Sequence, residues 1–313
     1  MSFHVVVGFG PAGAATARLL AEQGRSVRVV TTSGRSPEPG IEHVALDATD
    51  TARLIETARG ATAIYSCAAP PYHRWADAWP PLASSLCAAA EATGAVLVML
   101  GNLYGYGPVD GPMTEGLPLA ATGPKGQLRA ALWERARELH AQGRIKAVEV
   151  RASDFFGPGV TDGGHLAARV VPRLLRGKPV STLADPDAPH SWTYVPDVAG
   201  ALVEVAGQER AWGRPWHVPT EPALSVRDMV GRLAARSGTD PVAVRRIPSA
   251  VLGVAAPFSP LIRELKEVRY QFDRPFVVDS SAYRTEFAVR ATPLDEQVGA
   301  TVDWWRARRT TSG

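Results

Sequence analysis

Three closely spaced glycines near the start of the chain have the pattern of a phosphate-binding turn. Gly8, Gly10 and Gly13 follow the apolar run 4–7 and precede a segment rich in alanine and leucine, which favour a helix. In this order the first glycine permits a sharp strand-to-helix turn, the second lets the backbone approach a pyrophosphate, and the third lets the helix pack closely on the strand. The spacing predicts a dinucleotide-binding site formed by six residues: Gly8, Phe9, Gly10, Pro11, Ala12 and Gly13.

The residues after the second predicted strand, 26–31, indicate which dinucleotide binds. A carboxylate at that point would bind the ribose 2′-hydroxyl of NAD, whereas small polar or basic residues leave room for a 2′-phosphate. The sequence has no acid there and instead has Thr32, Ser33 and Arg35. We therefore expect NADP(H) as the cofactor. The alternative for Arg35 is an ordinary solvated loop residue.

Asp47 follows the third predicted strand, near residues 44–46. A carboxylate at this position, or the neighbouring backbone at Ala48, can meet the edge of an adenine ring. Asp47 can equally well be the N-cap of the next helix, predicted over about 51–59. The sequence leaves both interpretations open.

Polar side chains follow the strand predicted over 96–100, at the carboxyl end where doubly wound sheets bind ligands. They are Asn102, Tyr104 and Tyr106. An amide can hold a substrate carbonyl and a tyrosine can donate a proton, so we expect Asn102 and Tyr104 in catalysis and Tyr106 at the substrate. The alternative for Tyr104 is a packed ring with a structural hydrogen bond.

Two further residues, Tyr72 and His73, follow the strand predicted over 63–67 and are candidate substrate contacts. The alternative for this segment is a plain loop anchor. The two cysteines, Cys67 and Cys87, have neither the spacing of metal ligands nor that of a disulfide framework. The sequence therefore predicts no metal site.

The elements that must position these residues alternate along the first half of the chain. Strand-like and helix-like segments follow one another at 26–31, 44–46, 51–59, 63–67, 82–92, 96–100, 126–141 and 146–150. This alternation predicts an α/β fold with a doubly wound parallel sheet and right-handed crossovers. From Asp154 onward, glycines and prolines interrupt the periodic segments, and we expect substrate-binding loops there.

The composition is that of an ordinary globular chain. Its 313 residues are 45% apolar, which allows one large domain or two smaller ones. The formal net charge of +3 is small and disfavours nucleic-acid binding. No apolar stretch is long enough to span a membrane, and the first residues lack the pattern of a secretory signal. We therefore expect no membrane association and a cytoplasmic location.

Several motifs occur together in an order that is itself informative. Besides the glycine turn they occupy residues 46–50, 66–69, 103–108, 114–118, 151–159, 194–199 and 278–281. In this order the chain resembles the extended short-chain dehydrogenase/reductase superfamily, also described as NAD-dependent epimerases/dehydratases. The resemblance implies a Rossmann domain, 1–155 plus about 190–206, and a smaller discontinuous substrate-binding domain, 156–189 plus 207–313. It also implies that a further segment contacts the cofactor: Cys67, Ala68 and Ala69.

The resemblance further implies a catalytic Ser or Thr and a Tyr four residues before a Lys. The lysine is retained as Lys125, and we expect it to bind the nicotinamide ribose, but the tyrosine position holds Ala121 and the serine position holds Leu100. The glycine spacing is also tighter than is usual for the extended enzymes. The chain therefore resembles an atypical member that needs a different proton donor.

Two positions bear on the substrate. Where related sugar-nucleotide enzymes carry a phosphate-gripping arginine, this chain has His190, and where an asparagine is common it has Asp154. Imidazole is a poorer diphosphate clamp than guanidinium. We therefore expect Asp154 and His190 to contact a small molecule that is not a nucleotide.

These observations favour an NADP-dependent oxidoreductase that transfers hydride to or from a carbonyl or hydroxyl compound. Two alternatives remain: a nicotinamide-dependent epimerase or dehydratase, and a non-catalytic NADP-binding sensor. By analogy with the family, a homodimer through the helices near 82–92 and 126–141 is also expected.

Overall fold

The computed structural model describes residues 3–34, 38, 40–161, 164–248, 264 and 267–310. The chain forms two compact units. Unit 1 comprises Met1–Gly107, Pro118–Ala152 and Val198–Val218, and unit 2 comprises Pro108–Leu117, Ser153–Asp197 and Pro219–Gly313. The sequence-based division placed 207–218 with the substrate-binding domain, whereas here that segment lies in unit 1, where its strand joins the main sheet. Three segments that were predicted in the Rossmann domain lie in unit 2 instead: 108–117, 153–155 and 190–197.

Unit 1 is built on a seven-stranded sheet whose described pairings are all parallel. The strands are β1 (Phe3–Val7), β2 (Ser26–Thr31), β3 (Glu42–Ala45), β4 (Ala63–Ser66), β5 (Val96–Asn102), β6 (Lys146–Ala152) and β10 (Pro215–His217). Their order is β10-β6-β5-β4-β1-β2-β3. This confirms the predicted doubly wound parallel sheet. Since Val7 pairs with both Val30 and Ser66, the carboxyl ends of the central strands lie at one edge.

The helices of unit 1 are α1 (Pro11–Glu22), α2 (Thr51–Thr57), α3 (Trp75–Thr93), α4 (Pro124–Ala141) and the part of α6 (Val195–Ala206) from residue 198 onward. Helix α3 begins seven residues before the predicted start at Leu82, although it contains Pro80 and Pro81. Its first turns are held by two buried tryptophans four residues apart, Trp75 and Trp79, which join the core beside Trp133 of α4. Packing therefore outweighs the helix-breaking tendency of the prolines.

Unit 2 contains two small parallel sheets, one of β7 (Asp154–Phe156) with β9 (Trp192–Tyr194), the other of β8 (Val180–Thr182) with β11 (Val244–Arg246). Its helices include α5 (Val171–Leu174), α7 (Val226–Ser237), α8 (Tyr270–Asp273), α9 (Ser281–Phe287) and α10 (Leu294–Thr310). In the part of the chain that is described, no helix has the length and apolar character required to cross a membrane.

Candidate functional site

The glycine turn joins β1 to α1 in a conformation that requires glycine. Gly8 has φ +96°, and a Cβ atom there would lie 2.5 Å from the backbone of Ala68. A Cβ on Gly13 would lie 2.2 Å from the Gly8 carbonyl oxygen. The Gly8 N–H donates to the Val30 carbonyl at 2.9 Å, which fixes the turn against β2. These two glycines thus allow α1 to approach β1 and β4.

Gly10 differs from its two neighbours because a Cβ there would meet no atom within 4 Å. It is also the N-cap of α1, with φ −71°, and no side chain caps the helix. Pro11 occupies the first helical position, where a missing N–H costs nothing. The space beside Gly10 is therefore open next to an uncapped helix N-terminus. The turn fits the phosphates of a dinucleotide.

The residues expected at the adenosine end lie around this turn. Thr32 and Ser33 are exposed after β2. Arg35, the basic residue of the NADP prediction, lies outside the described residues. The Asp47 Oδ1 atom accepts hydrogen bonds from the backbone and the hydroxyl of Thr49, at 3.0 and 2.8 Å.

The helix-cap interpretation of Asp47 is wrong, because Asp50 is the N-cap of α2 and accepts from the Arg53 N–H. Asp47 is exposed, and the neighbouring Ala48 is buried. Phe9 of the glycine turn packs edge-on against His43 of β3, with ring centroids 4.9 Å apart. Sequence reasoning did not identify His43, since a lone histidine on an edge strand carries no motif.

The segment after β4 presents backbone rather than reactive side chains to the turn. Cys67 is buried, and that burial raises the pKa of its thiol to about 12. A thiol of this kind stays protonated and unreactive at neutral pH. The segment's Ala68 has the backbone nearest to Gly8. Cys67, Ala68 and Ala69 can therefore shape a cofactor site without adding charge to it.

Two predicted residues, Tyr72 and Tyr104, lie together beyond the ends of β4 and β5. Their hydroxyls share a short hydrogen bond, and the Trp75 ring packs on both of theirs. The Asn102 Oδ1 atom accepts from the Tyr104 backbone N–H at 3.2 Å and shapes the turn before it. His73 is exposed in the 3-10 turn that begins at Tyr72.

A buried cation, Arg129 of α4, lies behind this tyrosine pair. It donates to the Leu100 carbonyl at 2.8 Å, and its guanidinium stacks 4.6 Å from the centre of the Trp79 ring. Burial lowers the pKa of Arg129, and the charges of Glu149, Tyr104 and Tyr72 oppose that effect. Sequence reasoning missed Arg129 because an arginine on a helix is normally solvated.

Tyr106, expected at the substrate, lies instead in the interior of unit 1 and is only 2% exposed. Its hydroxyl is 2.7 Å from His217 Nε2 and accepts from Arg151 Nη1 at 2.6 Å. Arg151 in turn forms a buried ion pair with Glu149 at 2.7 Å. Burial alone lowers the pKa of Arg151, but Glu149 and Tyr106 outweigh it and raise that pKa. We therefore assign Tyr106 to a structural network.

The lysine implied by the resemblance and the two positions where its partners are lost all lie in unit 1. Lys125 is buried at the second position of α4. Ala121 is fixed by its N–H, which donates to the Gly105 carbonyl at 3.1 Å, and it presents only a methyl group. Leu100 lies half-buried in β5. The ammonium group is thus retained without the phenol and the hydroxyl expected beside it.

In unit 2 the structure brings together Asp154 and His190, which are far apart in the sequence. Asp154 Oδ2 and His190 Nε2 are 2.6 Å apart, and the His190 side chain is buried. Burial raises the pKa of Asp154, but the hydrogen bond and charge of His190 outweigh this and lower it overall. His165 stacks near His190, and burial lowers the pKa of His165 to about 4.

Comparison with known proteins identifies one family by sequence and one fold by structure. The model of the NAD dependent epimerase/dehydratase family matches residues 5–218. No curated protein matches the chain.

Among solved structures, the dTDP-glucose 4,6-dehydratase of Bacillus anthracis in complex with NAD is 16% identical, with a TM-score of 0.80 over 99% of this chain and 98% of that one. The UDP-glucose 4-epimerase of Thermotoga maritima with UDP-glucose is 17% identical, with a TM-score of 0.80 over 98% and 99%. The UDP-glucuronic acid 4-epimerase of Bacillus cereus in complex with NAD is 15% identical, with a TM-score of 0.77 over 98% and 99%.

Proposed function

The chain belongs to the NAD dependent epimerase/dehydratase family, and from that premise we propose that it binds a nicotinamide dinucleotide at the glycine turn and catalyses a reaction that begins with hydride transfer. The observation that carries this proposal is the open space at Gly10 beside the uncapped N-terminus of α1. When bound, the nicotinamide ring supplies a reversible acceptor of hydride. Lys125 would hold the nicotinamide ribose through its ammonium group.

NADP(H) is the proposed form of the cofactor. Thr32 and Ser33 follow β2 where NAD-specific sites carry a carboxylate, and both are exposed. Their hydroxyls can donate to a 2′-phosphate, which a carboxylate would repel. The solved relatives named above that hold a dinucleotide hold NAD, so the preference of this chain must be measured.

Tyr104 is the proposed proton donor in place of the tyrosine lost at Ala121. Its support is the hydroxyl pair with Tyr72 and the nearby cation of Arg129. A positive charge favours the phenolate form of a tyrosine, and a second hydroxyl can stabilise that phenolate by donating a hydrogen bond. Tyr104 would release its proton to a substrate oxygen, and the Tyr72 hydroxyl would donate a hydrogen bond to the Tyr104 phenolate that remains.

The proposed substrate is a small hydroxyl or carbonyl compound without a nucleotide diphosphate. Its support is the pairing of Asp154 with His190. In this pair the imidazole already has an anionic partner, and the carboxylate repels phosphate groups. Such a pair binds hydroxyl groups better than it binds a diphosphate, although relatives of this fold were solved with nucleotide sugars.

The family favours an epimerase or dehydratase, in which the hydride returns to the substrate within one turnover. This interpretation is better supported than the net oxidoreductase expected from the sequence. The absence of a phenol at Ala121 and of a hydroxyl at Leu100 favours a third function, a cofactor-binding sensor without turnover.

One experiment separates these functions. The protein is incubated with NADP⁺ or NAD⁺ and a panel of sugars and polyols, with and without a nucleotide, while absorbance at 340 nm and product mass are followed. A product without net absorbance change supports the epimerase or dehydratase, and stoichiometric change supports the oxidoreductase. Tight cofactor binding without any product from any substrate supports the sensor.

Variants at the tyrosines test the proton donor in the same assay. Tyr104→Phe should lower kcat by roughly 10²–10⁴-fold, as is typical when a general acid is lost. Tyr270→Phe is the matched control, because Tyr270 is half-buried in unit 2 and has no part in the proposed chemistry. Equal rates in Tyr104→Phe and the control would remove Tyr104 from the mechanism.

A further inference from the structure

A cavity of about 680 Å³ opens in unit 2 among residues that the proposed function does not use. One wall is α9 with the chain after it, and the other is the segment 220–222. The Thr220 N–H donates to the Ser280 hydroxyl at 3.2 Å and ties the two walls together. The volume lies in the range of small-molecule sites. The polar residues that line it are Thr220, Glu221, Ser281, Arg284, Thr285 and Arg290.

The charge of this cavity is predominantly positive. Arg284 and Arg290 are exposed, and neither forms an ion pair with any residue that the structure describes. Glu221 is the single acidic residue of the lining. Two guanidinium groups outweigh one carboxylate, and each guanidinium presents a planar fork that matches an oxyanion. The cavity therefore attracts a negatively charged group and offers Glu221 as an acceptor for a hydroxyl or amine.

A strained backbone turn lies between the two arginines. Ala288 has φ +53°, and among the described residues it is the only one other than glycine with a positive φ. It ends α9 and redirects the chain so that Arg290 lines the same cavity as Arg284. A left-handed conformation is unfavourable for alanine, so the remaining contacts of this segment maintain the turn.

We propose that this cavity is a second ligand site that binds a small oxyanion, either a phosphate ester or a carboxylate, with Arg284 and Arg290 on the anionic group. The space beyond that group accommodates a hydroxylated body, whose hydroxyl donates to Glu221. No lining residue belongs to the glycine turn, the tyrosine pair or the Asp154–His190 pair. The inference therefore goes beyond the proposed function and does not depend on it.

The test is a calorimetric titration of the protein, in an excess of NADPH, with inorganic phosphate and separately with citrate at constant ionic strength. The excess of NADPH keeps phosphate out of the glycine turn, and the two probes distinguish phosphate from carboxylate recognition. We expect binding of at least one probe in the millimolar range or tighter. Arg284→Ala and Arg290→Ala should each weaken that binding about 10-fold or more, and Arg284→Lys should weaken it less because the charge remains.

Arg245→Ala is the matched control. Arg245 lies on β11 of the same unit, is exposed, and likewise has no ion-pair partner among the described residues, but it does not line the cavity. Its removal should leave binding of both probes within about two-fold of the wild-type value, as expected of surface substitutions away from a site. Binding that survives in the Arg284→Ala, Arg290→Ala double variant, or absence of binding by either probe, would overturn the proposal. Thermal unfolding of each variant checks that the fold is intact.

Discussion

Replacing Gly10 with alanine separates the folding of the glycine turn from its capacity to bind phosphate. The backbone at Gly10 has φ −71°, which alanine adopts without strain, and the added methyl group would meet no protein atom within 4 Å. We therefore expect the free energy of unfolding to change by no more than about 0.5 kcal/mol. The methyl group would occupy the space where the backbone must approach a pyrophosphate, so dinucleotide affinity should fall about 10-fold or more, equivalent to about 1.4 kcal/mol.

The same substitution at Gly13 should damage the fold itself. There the Cβ atom would lie 2.2 Å from the Gly8 carbonyl oxygen and 3.1 Å from the Cys67 Cβ atom. Helix α1 would have to move away from β1, at a cost of about 1–3 kcal/mol typical of overpacking. Gly231→Ala is the control: Gly231 is exposed in the interior of α7 and has no atom within 4 Å of its Cβ position. That variant should gain about 0.5–1 kcal/mol and keep full dinucleotide affinity.

Denaturant unfolding gives the stability of the three variants, and fluorescence titration with NADPH and NADH gives their affinities. We expect Gly10→Ala to lose dinucleotide affinity but not stability, and Gly13→Ala to lose both affinity and stability. Gly231→Ala should lose neither affinity nor stability. Wild-type affinity for both dinucleotides in Gly10→Ala would refute the reasoning, because the open space beside α1 would then not hold the phosphates.

Three further predictions concern unit 2. The pKa of Asp154 is lowered overall in the folded protein. Its carboxylate therefore stabilises the fold above the pKa of the unfolded chain, near 3.9, and this stabilisation is lost as pH falls through the folded pKa. Urea unfolding from pH 5 to 2 should show a smaller loss of unfolding free energy for Asp154→Asn than for the wild type. Burial lowers the pKa of His165 to about 4, so as pH falls the imidazole is protonated in the unfolded chain before it is protonated in the folded protein. The free energy of unfolding therefore falls between about pH 6.5 and 4. His165→Gln should reduce this pH dependence in the same urea experiment. Ala288→Gly should stabilise the protein by about 1 kcal/mol in thermal unfolding, because glycine relieves the positive φ, whereas Ala282→Gly within α9 should destabilise it.

Short sequence patterns predicted much of the fold. The glycine turn and the alternation of strands with helices required only short windows of sequence, and both appear in unit 1 where they were expected. Strand β10 was missed because its three residues carry no periodic signal, and it becomes a strand only by pairing with β6. The early start of α3 was not predicted, because Pro80 and Pro81 disfavour a helix and the sequence does not show that the tryptophans before them are buried.

The candidate site was less predictable because its key contacts join distant parts of the chain. Asp154 and His190 were each expected at the substrate, but their pairing depends on the register of β7 with β9, which aligns Asp154 with Trp192. The buried Arg129 donates to the Leu100 carbonyl of β5, and the sequence of α4 alone does not predict that contact. Tyr106 was expected at the substrate, because nothing near it in the sequence indicates its buried partners, Arg151 on β6 and His217 on β10.

The most direct test of the central claim is a titration of the wild-type protein with NADPH, NADH and their oxidised forms, monitored by tryptophan quenching and nicotinamide fluorescence. The eight tryptophans of the chain provide the donor signal. We predict saturable binding of at least one dinucleotide pair in the micromolar range, with NADPH and NADP⁺ bound more tightly than NADH and NAD⁺. Absence of binding by all four dinucleotides at millimolar concentration would contradict it.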